Sequence, residues 1–596
     1  MAVGALTLVW RASPWLVAAL GLLSAVMAIA PVTAAWLMKL VLDRLVHAST
    51  DRIVLAGYAL GLGLAGLVSA VAPHMSRYIR AELARRVGLL SRDELFTAMD
   101  RFVGLARFEE PAFVDRLRLA QRAGVGSPSG VLDGVMGIAG SGLAVIGFLG
   151  SLVVLNPLMA VVVVGSAAPG LAAQLAISRR RAAAAWTAGR PERREFFYQM
   201  LLSTVEAAKE IRLFGTGRVL RQRMLAERRA ADAVLRDVDR RELRSQAVLT
   251  VVGAIVAGGG LLWAVSAAGS GRLSIGDVSM LVVSVAGVQS ALGAMVTQVA
   301  TTHHHVLLFR HHLDVVAAEP DLPIAQRPAR TRPLRHGIEV RDVWFRYSDD
   351  HPWILRGVNI SIPSGNSIAL VGRNGAGKST LVKLLCRFYD PVRGAILWDG
   401  VDIRELDPAT LRSRIGAVFQ DFACYELSAA DNVGLGDVSA LGDLPRIEAA
   451  ARTAGVHGVL AALPHGYQTP LSRIYSDDSD ETAGVILSGG QWQRVALARA
   501  VVRSDWDLLI CDEPNSGLDA EAEQEIHEML RRHRAGRTSI LVSHRLSALR
   551  DADRIVVLDG GVVVEEGRHD ELTATDGVYA SLFERQAEGY REKVPQ

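Results

Sequence analysis

The sequence predicts an α-helical polytopic membrane domain, six transmembrane helices with long extensions, followed by an α/β domain built on a phosphate loop. Three observations carry that expectation. Half of the 596 residues are apolar and mean hydropathy is +0.24, yet the long Ala-, Gly-, Val- and Leu-rich runs are confined to residues 1–310, while residues 335–590 have a soluble composition. Arginine is concentrated in two of the segments between apolar runs. The second half also holds Gly372-Arg373-Asn374-Gly375-Ala376-Gly377-Lys378-Ser379, a glycine-rich string between an apolar strand pattern and a helical one. A chain of this length exceeds what one core organises, so at least two domains are expected.

Crossing ~30 Å of hydrocarbon takes roughly 20 apolar residues. Six runs meet that need, near Pro14–Met38, Ile53–Ala72, Val131–Leu155, Leu158–Ile177, Ala247–Ala268 and Val278–Val299. Leu6–Trp10 is expected to form a short interfacial helix. The first run is too long for a cleavable signal peptide and shows no clear cleavage site; no peptidase domain is expected before it. The segment after the second run carries nine arginines between Arg80 and Arg122, and Arg179–Arg244 is similarly rich, whereas His47–Arg52, Asn156-Pro157 and Gly269–Asp277 are short and nearly free of positive charge. Positive charge marks the cytosolic side, which is therefore expected to hold both long loops and both termini.

Helical periodicity runs from Arg77 through Ala106 and from Arg193 through Asp239, and 30 helical residues reach ~45 Å. Phe108–Phe113 and Arg190–Glu192, followed by Phe196-Phe197-Tyr198, are expected as the breaks at two loop tips; exposed aromatics there would dock onto another surface. Gly57 and Gly61, and Gly134, Gly137 and Gly140, would permit close helix approach. Lys39 and Asp43, one turn apart, are placed to pair.

The predicted organisation is a membrane domain over 1–318, a proline-rich linker over 319–336 and an α/β domain over 337–590. The net charge of +3 gives no reason to expect nucleic acid as a partner. Cys386, Cys424 and Cys511 match no metal spacing and read as reduced thiols. Lysines number five against 65 basic residues in all, so Lys39, Lys209, Lys378, Lys383 and Lys593 each invite attention.

In Gly372–Ser379 the backbone N–H groups, those of Asn374, Gly375 and Gly377 among them, would wrap phosphate oxygens. The N-terminus of the following helix adds positive potential. Lys378 would reach the β- and γ-phosphates, and Ser379, followed by Thr380, would offer a hydroxyl to Mg²⁺. A second apolar strand, Asp507–Cys511, ends in Asp512-Glu513. Asp512 is placed to hold Mg²⁺, usually through water, and Glu513 to polarise an attacking water.

These strings, together with Leu487-Ser488-Gly489-Gly490-Gln491 and its continuation Trp492-Gln493-Arg494, resemble the ATP-binding cassette (ABC) superfamily, in the domain order of an exporter-type half-transporter. The resemblance implies further roles. Tyr347 would stack on adenine, and Gln420 would sense Mg²⁺. Ser516–Asp519 would be the loop that passes between subunits, with Asp519 at its end, and His544 would meet the γ-phosphate. Ala208–Phe214 matches a string common in exporter cytosolic loops. It implies ATP and Mg²⁺ as cofactors and ATP hydrolysis with Glu513, His544 and Gln420 at the chemistry. Ser488, Gly489, Gly490 and Gln491 would face the phosphate loop of a second copy. Because Glu513 and His544 are both present, a homodimer is favoured over a heterodimer with a related half-transporter. The implied setting is the lipid bilayer of a bacterial cytoplasmic membrane. The implied work is export of an unidentified hydrophobic or amphipathic small molecule, peptide or lipid; import through the same fold is the alternative. Two features depart from the pattern. An acidic stretch, Asp477–Glu481, precedes Ser488 and is expected either to pair with basic loops of the partner or to lie solvated. His303, His304, His305, His311 and His312 form a cluster for which a solvated or interhelical role is expected over a metal site.

Overall fold

The computed structural model describes residues 1–596 apart from 47–51, 473–483, 514–519, 535, 544 and 592–596; for some helix residues, chiefly between 166 and 188, it describes the backbone alone. His544, the segment Ser516–Asp519 and the acidic stretch Asp477–Glu481 thus lie outside the described residues.

The chain divides into two compact units. The first contains Met1–Asp100 and Pro111–Ala318, the second Arg101–Glu110 and Glu319–Gln596. The first unit is helical throughout: α1 (Ala2–Ala12), α2 (Pro14–Val46), α3 (Arg52–Met99), α5 (Pro111–Leu155), α6 (Pro157–Ser203), α7 (Val205–Leu213), α8 (Gly217–Gly269) and α9 (Ile275–Val316); α4 (Ala106–Glu109) belongs to the second. Local chemistry sets several of these ends. Ser13 is extended (φ −170°) and Pro14 opens α2, which separates α1 from it. The Asn156 side chain accepts from the N–H groups of Leu158 and Met159, with Pro157 at the first helical position. Ser274 and Asp277 form a reciprocal capping box at the head of α9.

Among the described residues, α2, α3, α5, α8 and α9 are long and apolar enough to cross a membrane. The expected run Leu158–Ile177 lies on α6, where many side chains fall outside the description. Helices α5 and α9 approach closely: a Cβ at Gly134 would strike Thr302, and one at Gly137 would lie 2.7 Å from the Gln298 side chain. Lys39 pairs with Asp43 (3.0 Å), and also with Asp277 of α9 (2.9 Å), a partner that the sequence reading missed.

The first expected break, Phe108–Phe113, spans the observed one at Glu110, between α4 and α5, whereas the second is displaced. Phe108 lies on α4, but Phe113 is already on α5 and 2% exposed, so it is a packing residue and not a docking aromatic. Pro191 is inside α6, which continues to Ser203. Ion pairs of Arg194 with Glu227 (3.4 Å) and Glu195 with Arg228 (3.7 Å) tie that stretch to α8. The second tip is α7 instead, which overlaps the string Ala208–Phe214, and Gly215 (φ +64°) supplies the left-handed residue that ends it.

Among the described residues the second unit has two sheets. Antiparallel β2-β1-β4-β5 comprises β1 (Gly337–Phe345), β2 (Leu355–Pro363), β4 (Arg393–Trp398) and β5 (Val401–Asp402). The larger sheet runs β10-β9-β3-β8-β7-β6. Here β3 (Ser367–Gly372), β6 (Ile415–Val418), β7 (Leu508–Asp512), β8 (Thr538–Val542) and β9 (Arg554–Asp559) are parallel, and β10 (Val562–Gly567) pairs antiparallel at the edge. Central strands β3, β7 and β8 are buried along almost their whole length, as a sheet covered on both faces requires. One core, with Val340, Ile360, Leu381 and Leu508, fills the space between the sheets; another, with Ala369, Val418, Leu497 and Trp506, lies under the helices of the other face.

Candidate nucleotide-binding site

In an open parallel sheet, ligands collect at the carboxyl ends of the strands. There β3 turns through Gly375 (φ +81°) and Gly377 (φ +101°) into helix α10 (Lys378–Leu385). Both conformations are left-handed, and a Cβ at Gly377 would meet Leu355 at 2.5 Å. Lys378, 6% exposed, bends back over the loop: its Nζ donates to the carbonyls of Gly372 (2.8 Å) and Arg373 (3.1 Å). Burial lowers its pKa, and the carboxylates of Glu513 and Asp512 only partly offset that. An ammonium so poorly solvated gains strongly from an incoming phosphate.

Strand β7 lies two places from β3 and ends at Asp512, which is 5% exposed. Burial raises its pKa, while a hydrogen bond from Ser379 opposes the rise. Its Oδ1 is buried without a hydrogen-bond partner among the described residues. An unsatisfied carboxylate oxygen beside the Ser379 hydroxyl is a donor set suited to a hard divalent cation, so these residues fit Mg²⁺. Glu513 follows at φ +50°, its N–H bonded to the Val542 carbonyl (2.8 Å). A left-handed glutamate is strained and is held here by the carboxyl end of β8, a pattern common at functional sites. On the far side, β6 pairs with β7 in a register that sets Val418 against Cys511, which puts Gln420 in the exposed turn just past the end that carries Asp512.

Tyr347 follows β1. Its hydroxyl lies 3.1 Å from Thr380 Oγ1, and its ring meets those of Phe345 and Tyr389 edge to face at centroid distances of 5.0 and 5.3 Å. Thus the structure brings Tyr347, Lys378, Ser379, Thr380, Asp512 and Glu513 around the head of α10. Ser488, Gly489, Gly490 and Gln491 stand elsewhere, at the head of the helix Gly489–Val501. Ser488 Oγ accepts from Gln491 N–H (3.4 Å), and Gln491 Oε1 accepts from Ser488 N–H (2.8 Å). Gly489 has open space around it. The sequence reading overlooked Glu109 and Tyr389, which join Lys383 beside Tyr347; the scarcity of lysine was the signal that pointed to Lys383.

The first unit contains a cavity of about 570 Å³ between α2, α3, α5 and α9. Its walls are mostly apolar, with Met27, Met136 and Phe148; Ser24, Ser141 and Ser290 supply hydroxyls, and Arg80, paired with Asp133 at 3.1 Å, is its charged member. Among the described residues, no group of three His, Cys, Asp or Glu is placed to hold a metal, the histidines of α9 included.

A strand-to-loop phosphate cradle, a carboxylate pair at the end of β7 and a bundle of apolar helices define a membrane protein with a P-loop nucleotide domain. Residues 355–516 match the ABC transporter family. The chain is 44% identical over 277 residues to an ATP-dependent lipid A-core flippase of Alkalilimnicola ehrlichii (46% of this chain, 45% of the relative). It is 42% identical over 256 residues to the toxin RTX-I translocation ATP-binding protein of Actinobacillus pleuropneumoniae (43% of this chain, 34% of the relative). The matched stretch thus spans less than half the length of these relatives. A solved bacterial Atm1-family ABC exporter with ATP bound superposes with a TM-score of 0.81 over 96% of this chain and 98% of its own, at 22% identity. Residues 355–516 thus carry an ABC domain, a class that binds ATP, and the chain has the fold of that solved exporter.

Proposed function

We propose that two copies of this chain form an ATP-hydrolysing exporter in the cytoplasmic membrane of a bacterium, with both termini and the nucleotide domains on the cytosolic side. The observation that carries this reading is the separation of Ser488 from the phosphate loop onto another helix: each chain offers one half of two composite sites. Lys378 and the loop N–H groups bind the triphosphate, and Tyr347 stacks on the adenine. Ser488, Gly489 and Gly490 of one copy close over the γ-phosphate bound by the other. Ser379, Asp512 and Gln420 are the residues to hold Mg²⁺, which supplies charge neutralisation at the β- and γ-phosphates. Glu513 orients and deprotonates the attacking water; His544 and Asp519 complete the γ-phosphate contacts and the subunit junction. Closure of the nucleotide domains passes through the tips Arg101–Glu110 and Val205–Leu213 to the helices, a population shift driven by ATP.

The cavity's apolar wall with a few hydroxyls suits an amphipathic cargo. The relatives' names, a lipid flippase and a toxin translocator, support outward transport and do not favour import. A disulfide test addresses the dimer directly. In a Cys424→Ser background, Ser488→Cys with Asn374→Cys should give a covalent dimer in the presence of ATP and none without it; cross-linking that ignores nucleotide would refute the composite site. Direction follows from inside-out proteoliposomes: ATP should drive a lipophilic dye into the lumen, whereas ATP-driven efflux would favour import.

A further inference from the structure

Segment Arg101–Glu110 packs as part of the second unit, and its attachments differ in kind. Leu105 N–H donates to the Phe388 carbonyl (3.1 Å), Gly104 N–H to Asp321 Oδ1 (2.9 Å), and Arg412 Nη2 to the Val103 carbonyl (2.7 Å). These three bonds hold main chain. Glu109 is gripped through its side chain: Oε1 accepts from Lys383 Nζ (2.7 Å) and Oε2 from the Tyr389 hydroxyl (2.5 Å). Burial alone would raise the Glu109 pKa, yet these two donors hold it below the usual range.

Lys383 is on α10, the helix whose first turn carries Lys378, Ser379 and Thr380. Its ammonium lies 5.4 Å from the Tyr347 ring centroid and 5.9 Å from that of Tyr389. An ammonium near both rings, which themselves pack edge to face, restrains Tyr347 by cation–π attraction. The cation is itself restrained by Glu109. We infer that Glu109 is a positioning residue of the nucleotide site: through Lys383 and Tyr389 it sets the pose of Tyr347, so that docking of the first loop segment and recognition of the adenine base are one linked equilibrium. This rests on the reading of Tyr347 as the adenine platform. Linkage is reciprocal: whatever the docked segment adds to ATP affinity, ATP adds to docking.

Lost without Glu109 is a half-exposed ion pair with its ring restraint, a contribution that corresponds to a change in affinity of about three- to five-fold. The test uses the full-length protein in nanodiscs and measures equilibrium binding of ATP and of inorganic tripolyphosphate, which lacks the base. Glu109→Gln should weaken ATP about three- to five-fold and leave tripolyphosphate unchanged. In a Tyr347→Ala background the same substitution should have no further effect on ATP, whereas a general loosening of the fold would weaken both ligands in both backgrounds. Equal losses for the two ligands, or unchanged ATP affinity for Glu109→Gln while Tyr347→Ala itself weakens ATP, would overturn the inference. If Tyr347→Ala leaves ATP affinity intact, it is the platform reading that fails, and the inference falls with it.

Discussion

Glu513→Gln exchanges one carboxylate oxygen for an amide nitrogen at constant shape. The backbone demands of the position are therefore met as before: the left-handed φ of +50° and the N–H bond to Val542 depend on the main chain. The phosphate loop and Lys378 are likewise untouched. What changes is proton affinity and charge. On the proposed role, a general base worth 10²–10⁴-fold would be removed, which corresponds to about 3–5 kcal/mol at 1.36 kcal/mol per tenfold. Glu513 is also the larger of two carboxylate influences on the Lys378 ammonium; its neutralisation removes repulsion toward an incoming triphosphate, so ATP affinity should hold or rise. The assay pairs steady-state phosphate release with equilibrium ATP binding on the same nanodisc preparation. The expected result is turnover reduced by at least 10²-fold, unchanged or tighter ATP binding, and accumulation of the ATP-dependent cross-linked dimer. Turnover within a few-fold of the parent protein would refute the assignment of Glu513, and with it the strand-end carboxylates as the reaction centre.

Lys378→Met should abolish ATP binding while the thermal midpoint stays equal or rises, since a buried ammonium held by two carbonyls is replaced by an apolar chain of similar length; differential scanning fluorimetry checks it. Asp399, in the turn after β4, accepts N–H groups from Arg335, His336 and Gly337. Although burial raises its pKa, those three bonds outweigh it and leave the value depressed. The stability it adds is therefore present above the ordinary carboxylate value of ~3.9 and is lost as pH falls through the lower folded value; Asp399→Asn should cost about 1–2 kcal/mol at pH 7 and flatten that acid limb in urea titrations. Arg387 is fully buried and bonds Asp390 and the carbonyls of Leu406 and Pro323; Arg387→Met should cost about 3–5 kcal/mol, read as a lowered thermal midpoint. Ser488→Asp keeps a good helix cap but sets a negative charge toward the partner's phosphate, so ATPase should fall at least tenfold with little change in thermal midpoint.

The nucleotide site was legible because its chemistry is local. Gly375, Gly377, Lys378 and Ser379 lie within one turn, and Asp512-Glu513 terminate a strand whose apolar run is unmistakable. The apolar runs were legible for the same reason, since each helix carries its own composition. Errors arose where distant segments decide. Pro191 reads as a break, but α6 runs on through it to Ser203 and is tied there to α8. Phe113 reads as an exposed loop aromatic, but Pro111 already opens α5 and the ring is buried. Glu109 carries no local signature at all; its meaning depends on Lys383 and Tyr389, more than 270 residues away in sequence.

Ser488 shows how one side chain can serve folding and function together. At a helix N-cap, Asp and Asn satisfy the orphan N–H groups as well as serine does, so capping alone does not explain a serine. The hydroxyl differs in having acceptor lone pairs and a donor hydrogen on the same atom. Here the oxygen accepts from Gln491 N–H within its own chain, and the O–H hydrogen meets no acceptor among the described residues. In the composite site proposed above, that hydrogen can donate to a phosphate oxygen of the partner's nucleotide while the cap persists, with the exposed N–H groups at the helix end adding to the attraction. Asp would cap and repel, and alanine would do neither. The site thus needs a residue that stabilises its own helix and still holds one donor in reserve for another chain.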